Sequence, residues 1–320
     1  MRLSREEMAK LLRSLEGKIL ITTHKNPDGD AIGSSLAWYN FLKRLGKNVK
    51  IIYKDSPPFN FDFLPGIEEI NVIDEIKEEF DWVIITDVSD FKRTGFDVIP
   101  SKKSIVIDHH ITAEDFADYS IVEPEISSTC ELSYEIMKLM DFSLIEYPVA
   151  LPLYTGIFTD TGGFSYSNTS PRTHVIAAEL IKKGIDPYFI TKNLFERNRL
   201  SRFKLLKLVL ETLEFAAGGK VAHITLFKNF LKEACAVLEE SEGFINYPRS
   251  IMGVEVAIFF KEMEENLWKV SMRSKGRVDV AQIAKEMGGG GHKMAAGFEF
   301  RGSLEEVKEK LFEKIEKSLA

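Results

Sequence analysis

The chain has 320 residues, 44% of them hydrophobic and 28% charged, with a formal net charge of −7. This length exceeds the size at which one core usually keeps growing, so two domains are expected, and the composition is that of a soluble globular protein. The negative balance argues against a surface built for long duplex nucleic acid, and no apolar run approaches the ~18 residues of a membrane span.

The N-terminal stretch MRLSREEMAKLLRSLEGKILITT reads as a short amphipathic helix with Ser4 and Glu7 in capping-box register. It lacks the apolar core and cleavage site of a signal peptide, so a cytoplasmic protein is expected. Strand-like and helix-like segments then alternate in the manner of a parallel α/β sheet. KILITT (18 to 23), VKIIY (49 to 53), WVIIT (82 to 86) and SIVI (104 to 107) are apolar and rich in β-branched residues, as strands covered on both faces are. A helix is predicted from about Ala31 to Leu45, closed by Gly46. Another starts at SSTCE, with Ser128 and Glu131 in capping-box register. SPRTHVIAAELIKKG has Ser170 as cap, Pro171 at the first helical position and Gly184 as terminator.

Residues 1 to 199 therefore read as one α/β domain. SRFKLLKLVLETLEF carries Leu205, Leu208 and Leu213 on a shared face and reads as a linker helix over 200 to 215. Beyond it come strand VAHITL, a helix near FLKEACAVL, paired strands VEVAIFF and LWKVSMRS, helix DVAQIAKEM, the run GGGGHKMAAGFEF and a charged amphipathic helix. This is the pattern of a smaller α+β domain over 216 to 320. Cys130 and Cys235 lack CxxC spacing, so packing is expected of both rather than a disulfide or a thiolate metal site.

Three predicted strands run into titratable residues. KILITT leads to His24, Asp28 and Asp30, WVIIT to Asp87, and SIVI to Asp108, His109 and His110. In a parallel sheet these segments emerge at the carboxyl edge, where open α/β folds place their sites. Four carboxylates and three imidazoles brought together would repel or desolvate at high cost unless a divalent cation lay between them. An Asp/His set without thiolates suits Mn²⁺, Fe²⁺, Co²⁺ or Zn²⁺, the carboxylate share favours Mn²⁺, and so many ligands imply two ions. Asp160 ends an apolar helix just before Thr161-Gly162-Gly163 and joins the set as a further ligand candidate.

His24-x-x-x-Asp28-x-Asp30, Asp87, Asp108-His109-His110 and Asp160 follow, in order and at the expected separations, the four motifs of the DHH phosphoesterase superfamily. GGGGHKMAAGF resembles the signature of the DHHA1 domain, and over nearly its whole length the chain is similar to the nanoRNase/pAp phosphatase, or NrnA-like, subfamily. One departure is Val88 in DVSD, where a small polar residue is more usual. The resemblance implies a parallel-sheet DHH catalytic domain followed by a smaller α+β DHHA1 substrate-binding domain. It implies one metal on His24, Asp28 and Asp87 and a second on Asp30, Asp87, His109 and Asp160, so that Asp87 bridges. It places Asp108 behind the site and His110 facing the scissile phosphate as donor or acid. It assigns Arg273, Ser274, Gly289, Gly290, Gly291 and His292 to the terminal nucleotide or phosphate, and it implies a homodimer through the first domain.

Two metals sharing a water would lower its pKa from about 15.7 towards ~7, and hydroxide would then be expected to attack phosphorus in line with the leaving oxygen. His109 binds metal only when unprotonated, so activity is expected to fall in acid, below the ordinary imidazole pKa of ~6.5. The glycine run lets backbone N–H groups approach an anion, Arg273 is a bidentate phosphate clamp, and Arg93 in DVSDFKRTG is a candidate phosphate ligand from the first domain. Such a set suits short anions: oligoribonucleotides of a few units, linear dinucleotides such as pApA, and pAp, with release of nucleoside 5′-monophosphates. The competing readings are a single-strand exonuclease or a cyclic-dinucleotide phosphodiesterase of the same superfamily, a manganese pyrophosphatase, and a non-catalytic nucleotide sensor. Such exonucleases usually carry an added nucleic-acid-binding domain, for which no strand set of aromatic and basic residues is found in this sequence, and the pyrophosphatase would lack the glycine-rich second domain.

Overall fold

The structure, a computed structural model, describes residues 1 to 319 and divides along the chain, between Arg197 and Asn198, into two compact units. In the first unit, β1 (Lys18–Thr22), β2 (Asn48–Tyr53), β3 (Ile70–Val72), β4 (Phe80–Thr86), β5 (Ser101–Asp108) and β6 (Tyr119–Val122) form one parallel sheet in the order β3-β2-β1-β4-β5-β6. Alternate residues along each inner strand enter opposite cores. Ile19, Ile21, Ile84, Ile105 and Ile107 join one apolar cluster, while Leu20, Val83, Ile85 and Val106 join the other. Both faces are covered, which is why these strands read as continuous apolar runs. The strands absent from the sequence reading, β3 and β6, are the two edges, of only three and four residues.

Six helices accompany this sheet: α1 (Arg5–Ser14), α2 (Gly29–Arg44), α3 (Thr129–Asp141), α4 (Tyr147–Asp160), α5 (Pro171–Ile181) and α6 (Pro187–Phe195). The reciprocal capping box of Ser4 and Glu7 forms at α1, and Ser170 caps α5 with Pro171 in its first turn. At α3 only half of the expected box is made. Ser128 Oγ accepts the Glu131 amide at 3.0 Å, but the Glu131 carboxylate accepts instead from the Ser127 hydroxyl and from Thr173 Oγ1, the latter at 2.8 Å. A tertiary tie to α5 wins over the local return bond.

The second unit contains α7 (Leu200–Leu210), β7 (Glu214–Ala216), β8 (Val221–Leu226), α8 (Lys228–Ala234), α9 (Asn246–Ser250), β9 (Val256–Glu264), β10 (Leu267–Ser274), α10 (Val280–Glu286), β11 (Gly290–His292), β12 (Ala295–Arg301) and α11 (Leu304–Leu319). Its sheet runs β11-β12-β10-β9-β8-β7, antiparallel except where β8 meets β9. The helix read over 200 to 215 stops at Leu210, because Thr212 turns the chain: its Oγ1 accepts the Thr225 amide at 2.7 Å, and Glu214 begins a strand. Leu205 and Val209 of α7 are buried with Ile224, Leu226 and Phe259, so this helix packs into the second unit's core. Cys130 is buried as expected; Cys235 is exposed at the left-handed C-cap of α8, which corrects its reading as a packed residue. Among the described residues no helix is long and apolar enough to cross a membrane.

Candidate metal centre

The strand order reverses between β1 and β4, and sheets of this kind bind ligands outside the carboxyl ends of the strands at that switch point. Thr23 Oγ1 donates to Thr86 O at 2.8 Å and ties the two strand ends together, leaving His24 and Asp87 as neighbours just beyond them. Asp28 caps α2, its Oδ1 accepting the amides of Asp30 and Ala31 at 3.1 Å each. Asp160 ends α4, which packs along α2 at backbone distance. A Cβ on Gly29 would lie 2.2 Å from Thr159 Oγ1, and one on Gly33 2.6 Å from Pro152 O. The glycines thus bring the N-terminus of α2 against the C-terminus of α4.

Around these anchors, His24 Nε2 lies 3.8 Å from Asp28 Oδ1 and 3.6 Å from Asp87 Oδ2. His109 Nε2 lies 3.9, 3.7 and 3.8 Å from Asp30 Oδ2, Asp87 Oδ1 and Asp160 Oδ2. These separations are too long for hydrogen bonds. They match the ~3 to 4 Å between two donor atoms that each sit about 2.1 Å from one ion. The structure gathers three sets able to hold a metal: His24, Asp28 and Asp87; Asp30, His109 and Asp160; and Asp87, His109 and His110. Asp87 turns one oxygen to each side, Oδ2 to His24 and Oδ1 to His109, so the residues present fit a pair of cations sharing that carboxylate.

The electrostatics show what a cation would relieve. Asp30 and Asp87 are each 2% exposed. Burial, then the charges of Asp87 and Asp160, push the Asp30 carboxyl well above its ordinary range, and burial with Asp87 and Asp28 does the same to Asp160. Burial alone would lower His24, but the facing Asp28 and Asp87 lift its imidazole to about 10. For Asp87 burial is outweighed the other way, by His24, His110 and His109, which hold it well below the usual carboxylate range. A divalent cation among these donors would relieve the same crowding of charge.

His110 lies deeper. Its Nδ1 donates to Asp108 Oδ1 at 2.6 Å, which turns Nε2 away from that carboxylate. Burial would depress this imidazole, yet Asp108 and Asp87 raise it to about 9 against the opposing charge of Arg93. Asp108 is fully buried and its Oδ2 has no hydrogen-bond partner among the described residues. Arg93 sits in the short helical turn Phe91–Thr94, with Nη1 donating to Ser89 Oγ at 3.3 Å. Val88 packs in the apolar cluster with Val83, Ile85 and Phe96, so the departure in DVSD is a core substitution that leaves the ligands alone.

Sequence reasoning missed the start of α3. Its first amides, Thr129 N and Cys130 N, donate to Asp30 Oδ2 at 2.6 Å and Oδ1 at 2.9 Å, and Thr129 Oγ1 donates to Asp87 Oδ1 at 3.0 Å. It also missed Asn168, whose Nδ2 reaches Asp160 O at 3.1 Å and Oδ2 at 3.4 Å. The signal available was SSTCE as a helix start, whose first amides have no partners within the helix.

In the second unit the register sets Arg273, Ala295 and His292 side by side across β10, β12 and β11. Ser274 is fully buried and its Oγ accepts the Gly276 amide at 3.0 Å, so it shapes the turn after β10. The end of the glycine run, Gly290 and Gly291, belongs to the edge strand β11. A Cβ on Gly289 or Gly291 would lie 2.2 Å from Gly297 O or 2.5 Å from Ala295 O, whereas Gly290 faces open space. β11 is the outermost strand of this sheet.

Residues 18 to 157 match the model of the DHH family, N-terminal domain, and residues 239 to 320 match that of the DHHA1 domain. A bifunctional oligoribonuclease and PAP phosphatase NrnA from Thermus thermophilus is 35% identical over 317 residues, covering 98% of this chain and 93% of that protein. A protein of the same name from Bacillus subtilis is 28% identical over 89% of this chain and 90% of its own length. The crystal structure of an exopolyphosphatase-related protein from Bacteroides fragilis, 34% identical, superposes with a TM-score of 0.90 over 98% of this chain and 97% of that one. The chain belongs to the DHH family of phosphoester hydrolases, in the NrnA-like branch that carries a C-terminal DHHA1 domain.

Proposed function

We propose that this hydrolase uses two divalent metal ions, Mn²⁺ foremost, to cleave short oligoribonucleotides and linear dinucleotides such as pApA to nucleoside 5′-monophosphates, and to remove the 3′-phosphate of pAp. The observation that carries the reading is Asp87, which turns one carboxylate oxygen to each of two ligand sets at the switch point of the sheet. Relatives named for both activities support the substrate class.

His24, Asp28 and Asp87 would hold one ion, and Asp30, Asp87, His109 and Asp160 the other. When bound, the pair supplies a water acidic enough to ionise near neutral pH and positive charge for the phosphoryl group. Asp108, accepting from His110 Nδ1, favours the doubly protonated ring, so Nε2–H is a donor for a phosphate oxygen or the leaving group. Arg93 adds charge on the same side. On the second unit, Arg273 and His292 flank Ala295 as candidate clamps for a terminal phosphate. Gly289 and Gly291 let the chain run close against β12, Gly290 faces open space where a backbone amide could meet an anion, and Ser274 holds the turn beside Arg273. Substrates of this kind arise inside the cell, so the reading places the chain in the cytoplasm. The reading includes a homodimer through the first unit, for which sedimentation would show a dimer mass.

The test is hydrolysis of pApA, a five-nucleotide RNA, pAp, cyclic di-AMP and pyrophosphate with added Mn²⁺. Turnover of the first three is expected, abolished by EDTA and reduced at least roughly a hundredfold in Asp87→Asn. Turnover of cyclic di-AMP or pyrophosphate alone would replace the substrate class, and no turnover of any would leave a nucleotide sensor.

A further inference from the structure

The geometry points to Thr129 as the positioning residue that makes Asp87 a bridge, an inference that rests on the metal-centre reading above. Asp30 and Asp87 reach the site from different elements, and both are held by the first residues of α3. Asp30 needs no side chain for this, because its two oxygens accept the backbone amides of Thr129 and Cys130 at 2.6 and 2.9 Å. Asp87 depends on a side chain. Thr129 Oγ1 donates to its Oδ1 at 3.0 Å, whereas His24, His109 and His110 approach it only to 3.6, 3.7 and 3.6 Å.

The consequence is geometric. A carboxylate that serves two ions must present its plane edge-on between them, and rotation about its last bond would turn both oxygens away from one side. The Thr129 hydroxyl fixes that rotation. The same residue's amide fixes Asp30, so one fully buried position sets the spacing of two carboxylates that both face His109. Hydrogen bonds to ligating carboxylates orient them, and their loss typically weakens metal binding.

The experiment titrates metal-stripped protein with Mn²⁺ by calorimetry, comparing wild type, Thr129→Val and Thr129→Ser. Valine keeps the shape and the amide but removes the hydroxyl; serine keeps the hydroxyl. Wild type and Thr129→Ser are expected to bind two ions with similar affinity. Thr129→Val is expected to bind one ion normally and the second roughly 10- to 100-fold more weakly, with kcat for pApA falling and KM little changed. The melting temperature of the metal-stripped variant should stay close to wild type, which a purely structural role would not predict. Should valine fail to give a folded circular-dichroism spectrum, Thr129→Ala removes the same hydroxyl without added bulk and is read the same way. Two ions bound at wild-type affinity by the hydroxyl-free variant would overturn the inference while leaving the metal centre intact. A wild type that binds no Mn²⁺ would overturn both. The expected loss of affinity in a protein that hydrolyses none of the RNA substrates would overturn the substrate reading alone.

Discussion

Asp87 has φ near +60°, the left-handed region in which Asp and Asn are tolerated better than other residues with a side chain. Substituting it tests ligation and backbone together unless the replacement is chosen for both. Asp87→Asn should keep the fold and lose metal binding, whereas Asp87→Ala adds strain of about 1 kcal/mol and should melt lower than Asp87→Asn in metal-stripped protein. A far-from-site residue makes a pH prediction. His223 is 2% exposed on β8, stacked on Phe312 with ring centroids 5.2 Å apart and set edge-on to Phe260 at 5.7 Å. Its Nε2 lies 3.4 Å from Glu214 Oε2 on β7, which also accepts Lys308 of α11 at 2.8 Å. Burial, helped by Lys308 and opposed by Glu214, pushes its imidazole down to about 4. Between that value and the ordinary ~6.5 the unfolded chain binds more protons than the folded one, so stability rises with pH across this window and is complete above it. The effect on stability is on the order of 2 kcal/mol. Melting curves from pH 7 to 4.5 should fall less steeply for His223→Phe than for wild type, and equal slopes would refute the assignment. What sequence shows at this scale follows from chemistry. Asp and His at the ends of apolar strands are improbable without a ligand, so those positions stand out. Thr129 has an ordinary meaning at a helix start, and its partner Asp87 lies 42 residues away, so only the fold reveals its bond.

The meeting of α2 and α4 is where packing becomes chemistry. A Cβ on Gly156 would lie 2.2 Å from Cys130 Sγ and 3.0 Å from Asp30 Oδ1. Gly156→Ala should therefore force the helices apart, lower stability by about 1 to 3 kcal/mol and weaken Mn²⁺ binding together. Adding Cys130→Ala removes the nearest obstructing atom, so the double variant should recover part of both losses; strictly additive losses in a double-mutant cycle would show that the two residues do not compete for one space. The element itself was legible, because the helix caps and the apolar strand runs are local signals. Closeness was not, because a glycine inside a helix reads only as a weak helix former until its neighbour is known. The same holds for GGGGH. Composition points to a loop, and it is pairing with β12 that makes Gly290 and Gly291 strand residues. The edge strands β3 and β6 were invisible because three or four residues carry no periodicity.

At the scale of the whole chain, the leucine-rich stretch after residue 200 decides where the second unit begins. Its leucines read as a connector between domains because an amphipathic helix shows that it needs a partner but not which one. In the structure Leu205 and Val209 are fully buried against Ile224, Leu226, Phe244 and Phe259, all from the second unit. Burying two such side chains is worth about 3 to 5 kcal/mol, a large part of the ~5 to 15 kcal/mol that holds a domain together. Both apolar clusters of this unit draw only on residues from Leu205 onward. A fragment starting at Asn198 should thus fold alone with a cooperative thermal transition. One starting at Ala216 loses α7 and uncovers Ile224 and Phe259, and it should melt much lower or aggregate. Equal melting temperatures for the two fragments would mean that α7 adds nothing to this core and acts as the connector its sequence suggests.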